Sequence, residues 1–131
     1  MAGGGAVGGA VARAFASEGA ELFLAGRKPG PVEAVAADIV SAGGSAETAA
    51  VDALDERAID EHLHSVIDNA GRVDISFNAV GVPDTDIVGV PLVELDLEQF
   101  ALPITAYTTS YFLTARLAAR RRLGRPRGSA W

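Results

Sequence analysis

The chain has no cysteine, a single lysine (Lys28), and no acidic residue after Glu98. Without cysteine there is no disulfide framework, no thiolate metal site and no thiol nucleophile. That usage fits a reducing compartment, and a cytoplasmic location is the expectation. Two histidines, His62 and His64, stand only two residues apart on a predicted helix, so they point to different faces and no metal site is read from them. Long apolar runs are lacking too. The longest uncharged stretch, Gln99 to Ala115, is interrupted by Pro103 and carries four threonines, Ser110 and two tyrosines, which argues against a membrane span. The first residues bear no positive charge and their apolar residues are diluted by glycine, so no signal peptide is read.

What is present is an ordinary soluble composition: 131 residues, 49% hydrophobic and 21% charged, enough for one domain that buries roughly two thirds of its unfolded surface. The net charge of −6 conceals an asymmetry. An acidic body is followed by Arg116, Arg120, Arg121, Arg122, Arg125 and Arg127. Such a tail can bind nucleic acid or an anionic surface. The plainer reading, an exposed helix end running into a basic disordered tail over residues 123–131, is preferred here.

The organising stretch is Gly3-Gly4-Gly5-Ala6-Val7-Gly8-Gly9, five glycines in seven residues. Glycine loses the most backbone entropy on ordering, so the run reads as a tight turn rather than a helix interior or a good strand. A turn of this kind brings backbone N–H groups close to a phosphate. Val7, Ala10, Val11, Ala14 and Phe15 then mark the apolar face of a helix. Glu21 to Ala25 is an apolar run of strand length. Pro31 suits the first position of a second helix, with Glu33 in its first turn and Val32, Val35, Ala36, Ile39 and Val40 on its apolar face. Gly43 and Gly44 end it. Ala46 to Val51 is a weaker strand. Asp55 and Glu56 open a third helix that buries Ile59, Leu63, Val66, Ile67 and Ala70 and stops at Gly71, and Val73 to Asn78 reads as a further strand. A loop with Gly81, Pro83, Gly89 and Pro91 leads to Asp96 and Gln99, a capping pair for a long helix from about 97 to 122 that Pro103 should kink or restart. Helices alternating with strands imply a parallel sheet covered on both faces.

In this order, GGGAVGGAVARAFASEGAELFLAGR, the Ala42–Gly44 turn, VDALDE and GRVDISFNAVG resemble the N-terminal half of the short-chain dehydrogenase/reductase family over most of residues 1–115. The family's TGxxxGxG turn is matched at Gly8, while Met1 and Ala2 stand in place of its Thr and Gly and Ala6 replaces its middle glycine. Its NNAG appears as Asn78-Ala79-Val80-Gly81. The resemblance implies a three-layer, Rossmann-like doubly wound parallel sheet, incomplete because the first strand and those after the fourth are missing. Residues 1–115 would form a partial dinucleotide-binding domain, with the helix continuing to about 122.

The same resemblance implies a cofactor site. Gly3, Gly4, Gly5, Val7 and Gly8 would hold the pyrophosphate, Asp52 would face the adenine, and Asn78 and Gly81 would border the nicotinamide-side ribose. Nineteen residues beyond Gly8, where an NAD site expects an acid for the ribose 2′-hydroxyl, the chain has Arg27 and then Lys28, a cation pair that favours the 2′-phosphate of NADP over NAD. Catalysis in the family rests on a Ser and a Tyr-x-x-x-Lys, in which the lysine lowers the tyrosine pKa so that the phenol exchanges a proton with the substrate oxygen. With Lys28 the only lysine, and the tyrosines at 107 and 111, that motif is absent, and no catalytic residue is assigned. Tyr107 and Tyr111 read as packing residues. The supporting Asn position of the family falls near Ala106.

Two functional readings follow: an oxidoreductase-family chain of the NAD(P)(H)-dependent, carbonyl/alcohol type that is inactive alone, or a non-catalytic nucleotide-binding or dimerising module. A homo-oligomer through the helix around residues 97–122 is the expected protein partner. Lacking a first strand, the sheet should either pair Leu22–Ala25 directly with Ile75–Phe77 or carry a gap.

Overall fold

A computed structural model describes residues 5–83 and 85–123. Helix α1 (Ala6–Ser17) leads to strand β1 (Glu21–Gly26), helix α2 (Pro29–Ser41), strand β2 (Ser45–Ala50), helix α3 (Glu56–Ala70) and helix α4 (Leu97–Leu123). Among the described residues the sheet has two strands, paired parallel from Glu21 opposite Ser45 to Gly26 opposite Ala50.

Two consecutive residues of β1 show how the layers are built. Leu24 belongs to a core with Ala12 of α1 and Val32, Val35, Ala36 and Ile39 of α2. Ala25 belongs to another, with Val51, with Ile59 and Leu63 of α3, and with Leu113 and Leu117 of α4. Successive strand side chains point to opposite faces, so α1 and α2 cover one side of the sheet and α3 and α4 the other. This is the doubly wound, three-layer arrangement expected of alternating elements.

Element ends follow local chemistry. Lys28 is held extended before Pro29, and α2 starts there rather than at Pro31, because a proline at the first helical position costs no hydrogen bond. Gly43 adopts φ +86°, and the N–H of Gly44 donates to the carbonyl of Ile39, closing the helix end. A Cβ on Gly44 would lie 2.8 Å from Ile39 Cγ2, so the strand can begin immediately only with glycine there. Asp55 caps α3 by accepting from the N–H groups of Arg57 and Ala58, and Gly71 ends it at φ +77°. Asp96 and Gln99 form the reciprocal cap of α4: Gln99 N–H donates to Asp96 Oδ1 at 2.8 Å, and Asp96 N–H donates to Gln99 Oε1 at 3.0 Å.

Further sequence expectations are corrected, and of the two alternatives at Pro103, a kink or a restart, the restart is excluded. Val73–Asn78 is not a strand. Strand residues need a ladder partner, and between this segment and β1 lies a cavity instead, so of the two alternatives for the sheet the gap is the one observed. The buried face of α1 is Gly8, Gly9 and Ala12, whereas Val7 is 68% exposed and Ala10 and Ala14 are exposed as well. Gly8 and Gly9 thus lie inside a helix after all. Their propensity cost of about 1 kcal/mol each falls in the first turns, where small residues let α1 sit close against its neighbours. Pro103 does not restart α4, which runs through it as one helix of 27 residues. The ring sits in the second turn, where it removes one hydrogen bond while the capped first turn and the packing beyond hold the helix. On α2, finally, Val40 is exposed rather than buried. Gly3, Gly4 and the basic segment after Leu123 lie outside the described residues.

Candidate cofactor site

At the end of the sheet where β1 and β2 finish, three loops meet α4 around a cavity of about 320 Å³. Gly26, Arg27 and Lys28 come from the turn between β1 and α2. Val51, Asp52, Ala53 and Leu54 follow β2. Val80 to Pro83 form a third wall, and Leu102 and Ala106 of α4 close the fourth. The crevice beyond the C-terminal ends of parallel strands is where ligands of open α/β sheets bind.

Each loop has a reason to stand where it does. Val51 N–H donates to the carbonyl of Gly26 at 3.0 Å, extending the ladder by one step and bringing Asp52 to the same end of the sheet as Arg27. Asp52 Oδ1 then accepts from Leu54 N–H at 2.9 Å, an Asx turn that folds the chain toward α3. Asn78 Oδ1 accepts from Val80 N–H and its Nδ2 donates to Thr114 Oγ1, both at 2.9 Å, tying the third wall to α4. Val82 N–H reaches Tyr107 Oη at 3.4 Å.

The charged lining comprises Arg27, Lys28 and Asp52, two cations against one carboxylate, all exposed. Among the described residues neither Arg27 nor Lys28 has a carboxylate within ion-pair distance. The cavity is therefore a small, mostly apolar crevice whose charged lining is net positive.

Of the residues singled out in the sequence, Arg27, Lys28, Asp52 and Gly81 meet at this cavity. Gly5 caps α1 in an extended conformation, φ −79° and ψ 166°, with no side chain to satisfy the helix N-terminus. Gly8 lies in α1 on the wall of a second cavity, Val7 points to solvent, and Asn78 braces the third wall without lining the crevice. Gly3 and Gly4 are outside the described residues. Sequence reasoning missed Val82, Pro83 and Leu102 as wall residues; the apolar Val80-x-Val82 pair preceding Pro83 was the available signal. Ala106 is 6% exposed and presents only a methyl group where the resemblance implied a supporting Asn. Tyr107 and Tyr111 stack with ring centroids 6.0 Å apart, as their i, i+4 spacing suggests, and Tyr107 adds the contact to Val82. His64 Nε2 lies 3.4 Å from Asp68, whereas His62 lines the second cavity. Among the described residues no group of three or more His, Asp or Glu could hold a metal ion, and no helix is long and apolar enough to cross a membrane.

The family model described as enoyl-(acyl carrier protein) reductase matches residues 2–130. The chain belongs to the short-chain dehydrogenase/reductase family. It is 28% identical over 123 residues to 2,3-dihydro-2,3-dihydroxybenzoate dehydrogenase of Bacillus subtilis, covering 94% of this chain and 46% of that one. An uncharacterized oxidoreductase of Mycobacterium tuberculosis is 35% identical over 85 residues, which are 63% of this chain and 32% of the relative. Among solved structures, a metagenomic short-chain oxidoreductase in complex with NADP superimposes with a TM-score of 0.81 at 30% identity, over 93% of this chain and 54% of that one. A 3-ketoacyl-ACP reductase from Sinorhizobium meliloti gives 0.80 at 28% identity, over 92% and 46%. The chain thus spans about half the length of these dehydrogenases or less. As a member of an NAD(P)-binding oxidoreductase family it has the expected partial Rossmann-like fold.

Proposed function

We propose that this chain is a nucleotide-gripping unit of a short-chain dehydrogenase/reductase, selective for NADP(H) over NAD(H) and without hydride-transfer activity by itself. The observation that carries the reading is the meeting of Arg27 and Lys28 with Asp52 and Gly81 around one crevice at the strand ends. In this reading Arg27 and Lys28 hold the 2′-phosphate, Arg27 through a planar fork that can bind two oxygens at once. Asp52 faces the adenine, and Asn78 and Gly81 border the second ribose. Gly3 to Gly8, with the positive end of α1, receive the pyrophosphate. The NADP held by the metagenomic relative supports the choice of cofactor. Residues 1–115 form the nucleotide-binding unit and 123–131 a basic extension, and the cytoplasm supplies the cofactor.

Inactivity follows from chemistry. The one lysine is on the 2′-phosphate side of the crevice and no tyrosine precedes it by four residues, so the chain lacks the Tyr-x-x-x-Lys pair through which the family exchanges a proton with the substrate oxygen. Calorimetric titration should find NADP bound more tightly than NAD, and Arg27→Glu with Lys28→Glu should abolish the preference, a loss of about 10–100-fold for two charge-assisted contacts. Equal affinity for the two nucleotides before mutation would refute the selectivity. NADPH oxidation by the wild-type chain with a ketone would refute the inactivity.

A dimerising role has its own observation. Leu97, Phe100, Ile104 and Tyr111, spaced by three, four and seven, share one solvent face of α4 and are each 48–79% exposed. Ala106, Ser110, Leu113 and Leu117 occupy the opposite, buried face. An apolar stripe of this length on a helix suits association with a second copy. Sedimentation should show a dimer that Phe100→Glu with Ile104→Glu dissociates.

A further inference from the structure

Helix α4 presents a polar row to the segment that forms the third wall of the crevice. Tyr107, Ser110 and Thr114 stand at i, i+3 and i+7, the spacing of one helical face. Ser110 is fully buried and Thr114 is 4% exposed. Thr114 Oγ1 donates its proton to the carbonyl of Ser110, so toward Asn78 it can only accept, and Asn78 Nδ2 supplies the donor at 2.9 Å. Ser110 Oγ likewise donates to the carbonyl of Tyr107 at 3.3 Å. Tyr107 differs, because its hydroxyl stands at the end of a long side chain and accepts from a backbone group of another segment, the N–H of Val82 at 3.4 Å. With Asn78 held at Thr114 and Val82 held at Tyr107, the 78–82 segment runs opposite in direction to α4 and has an anchor at each end.

The two anchors are unequal. The Asn78 amide makes two bonds of 2.9 Å, one to Thr114 Oγ1 and one from Val80 N–H. The anchor at Val82 is a single longer bond to a half-buried phenol, so it is the one that yields first. Val80, Gly81, Val82 and Pro83 line the crevice, and Leu102 and Ala106 line it from α4. Ala106 directly precedes Tyr107, so one stretch of helix supplies both a wall and the anchor for the wall across from it. We propose that Tyr107 is a positioning residue for the bound nucleotide: its phenol oxygen latches Val82 and thereby sets how long the 80–83 wall holds a dinucleotide in place, an inference that rests on the cofactor reading above. The stack on Tyr111, with ring centroids 6.0 Å apart, fixes the ring, and the hydroxyl alone makes the latch. Arg27, Lys28 and Asp52 enter the crevice from the ends of β1 and β2, and none of them bonds to Tyr107 or Val82 among the described residues. Loosening the latch therefore shortens the stay of NADP and NAD alike.

The test is Tyr107→Phe in the full chain, which keeps the ring and its stack and removes only the oxygen. By NMR of the isotope-labelled free chain, exchange of the Val82 amide should quicken about three- to tenfold, the range one neutral hydrogen bond gives. The Val80 amide, held by Asn78, should exchange as before. In stopped-flow measurements NADP and NAD should both leave the variant about three- to tenfold faster, with association rates and the ratio of the two affinities unchanged. The urea midpoint should stay at the parent's value, whereas Thr114→Val, which cuts the other anchor, should lower it. Three results would overturn the latch: an unchanged Val82 amide, unchanged release rates, or faster release of NADP alone, which would put the hydroxyl's action at the 2′-phosphate. A lowered midpoint with Val82 exchange unchanged would show that Tyr107 only packs. If the parent retains neither nucleotide, the cofactor reading fails and the effect on dwell time with it. The Val82 amide of the free chain reports on the latch by itself, so the two failures are read apart.

Discussion

Asn78 and Thr114 hold the crevice at the strand ends to the long helix: Asn78 Nδ2 donates to Thr114 Oγ1 at 2.9 Å, thirty-six residues apart in the chain. Thr114 is 4% exposed, and its hydroxyl donates in turn to the carbonyl of Ser110. The other end of the Asn78 amide accepts from Val80 N–H, so one side chain fixes both the helix distance and the turn that places Gly81 at the crevice. Alanine at this position leaves the half-buried Val80 N–H without its acceptor. Asn78→Ala should lower stability by about 1–2 kcal/mol, read from the urea midpoint, and weaken NADP binding through a looser third wall. An unchanged midpoint would show that the bridge is incidental.

Gly5 sets stability against binding. It caps α1 in the extended conformation that serine or aspartate adopts at this position, and a Cβ there meets nothing within 4 Å. Gly5→Asp should therefore supply a capping acceptor and a favourable charge at the helix N-terminus, stabilising by about 0.5–1 kcal/mol. The same carboxylate would confront a pyrophosphate. Thermal melting should rise while NADP affinity falls, and a variant that binds NADP as tightly as the parent would place the pyrophosphate elsewhere.

How far the sequence announced this arrangement can be judged residue by residue. The caps at Asp55, Gly71 and the Asp96–Gln99 pair were legible because capping is local chemistry between neighbours a few residues apart. The α2 face was legible because Val32, Val35, Ala36 and Ile39 face one core and their period says so. Val73–Asn78 misled because its alternation records a preference for strand, whereas a strand exists only with a partner alongside. The face of α1 misled for a related reason: Gly8, Val11, Ala12 and Phe15 all border the cavity beside β1, and of them only Ala12 joins the core with Leu24 and α2. The arginines of α4 were read as one basic run, yet Arg116 pairs with Glu56 and Arg121 Nη2 lies 2.7 Å from Asp60 Oδ1. Those pairs clip α4 to α3 and reduce the charge available for nucleic acid. Pairings sixty residues apart leave no local trace in a sequence.

His62 makes the cavity beside β1 a source of acid sensitivity. The imidazole is partly buried on α3 at that cavity, and burial lowers its pKa below the ordinary value of 6.5 because the charged form is taken from water. The unfolded chain therefore binds a proton at His62 more readily than the folded one. By linkage, this residue's contribution to stability is intact above about pH 6.5. It declines as pH falls below that value through the lowered folded pKa, and it levels off once both states are protonated. His62→Gln, which cannot ionise, should flatten this part of the profile, so the difference in melting temperature between variant and parent should shift in the variant's favour from pH 7.5 to pH 5. A difference constant across that range would mean that the imidazole is as well solvated in the folded chain as in the unfolded one.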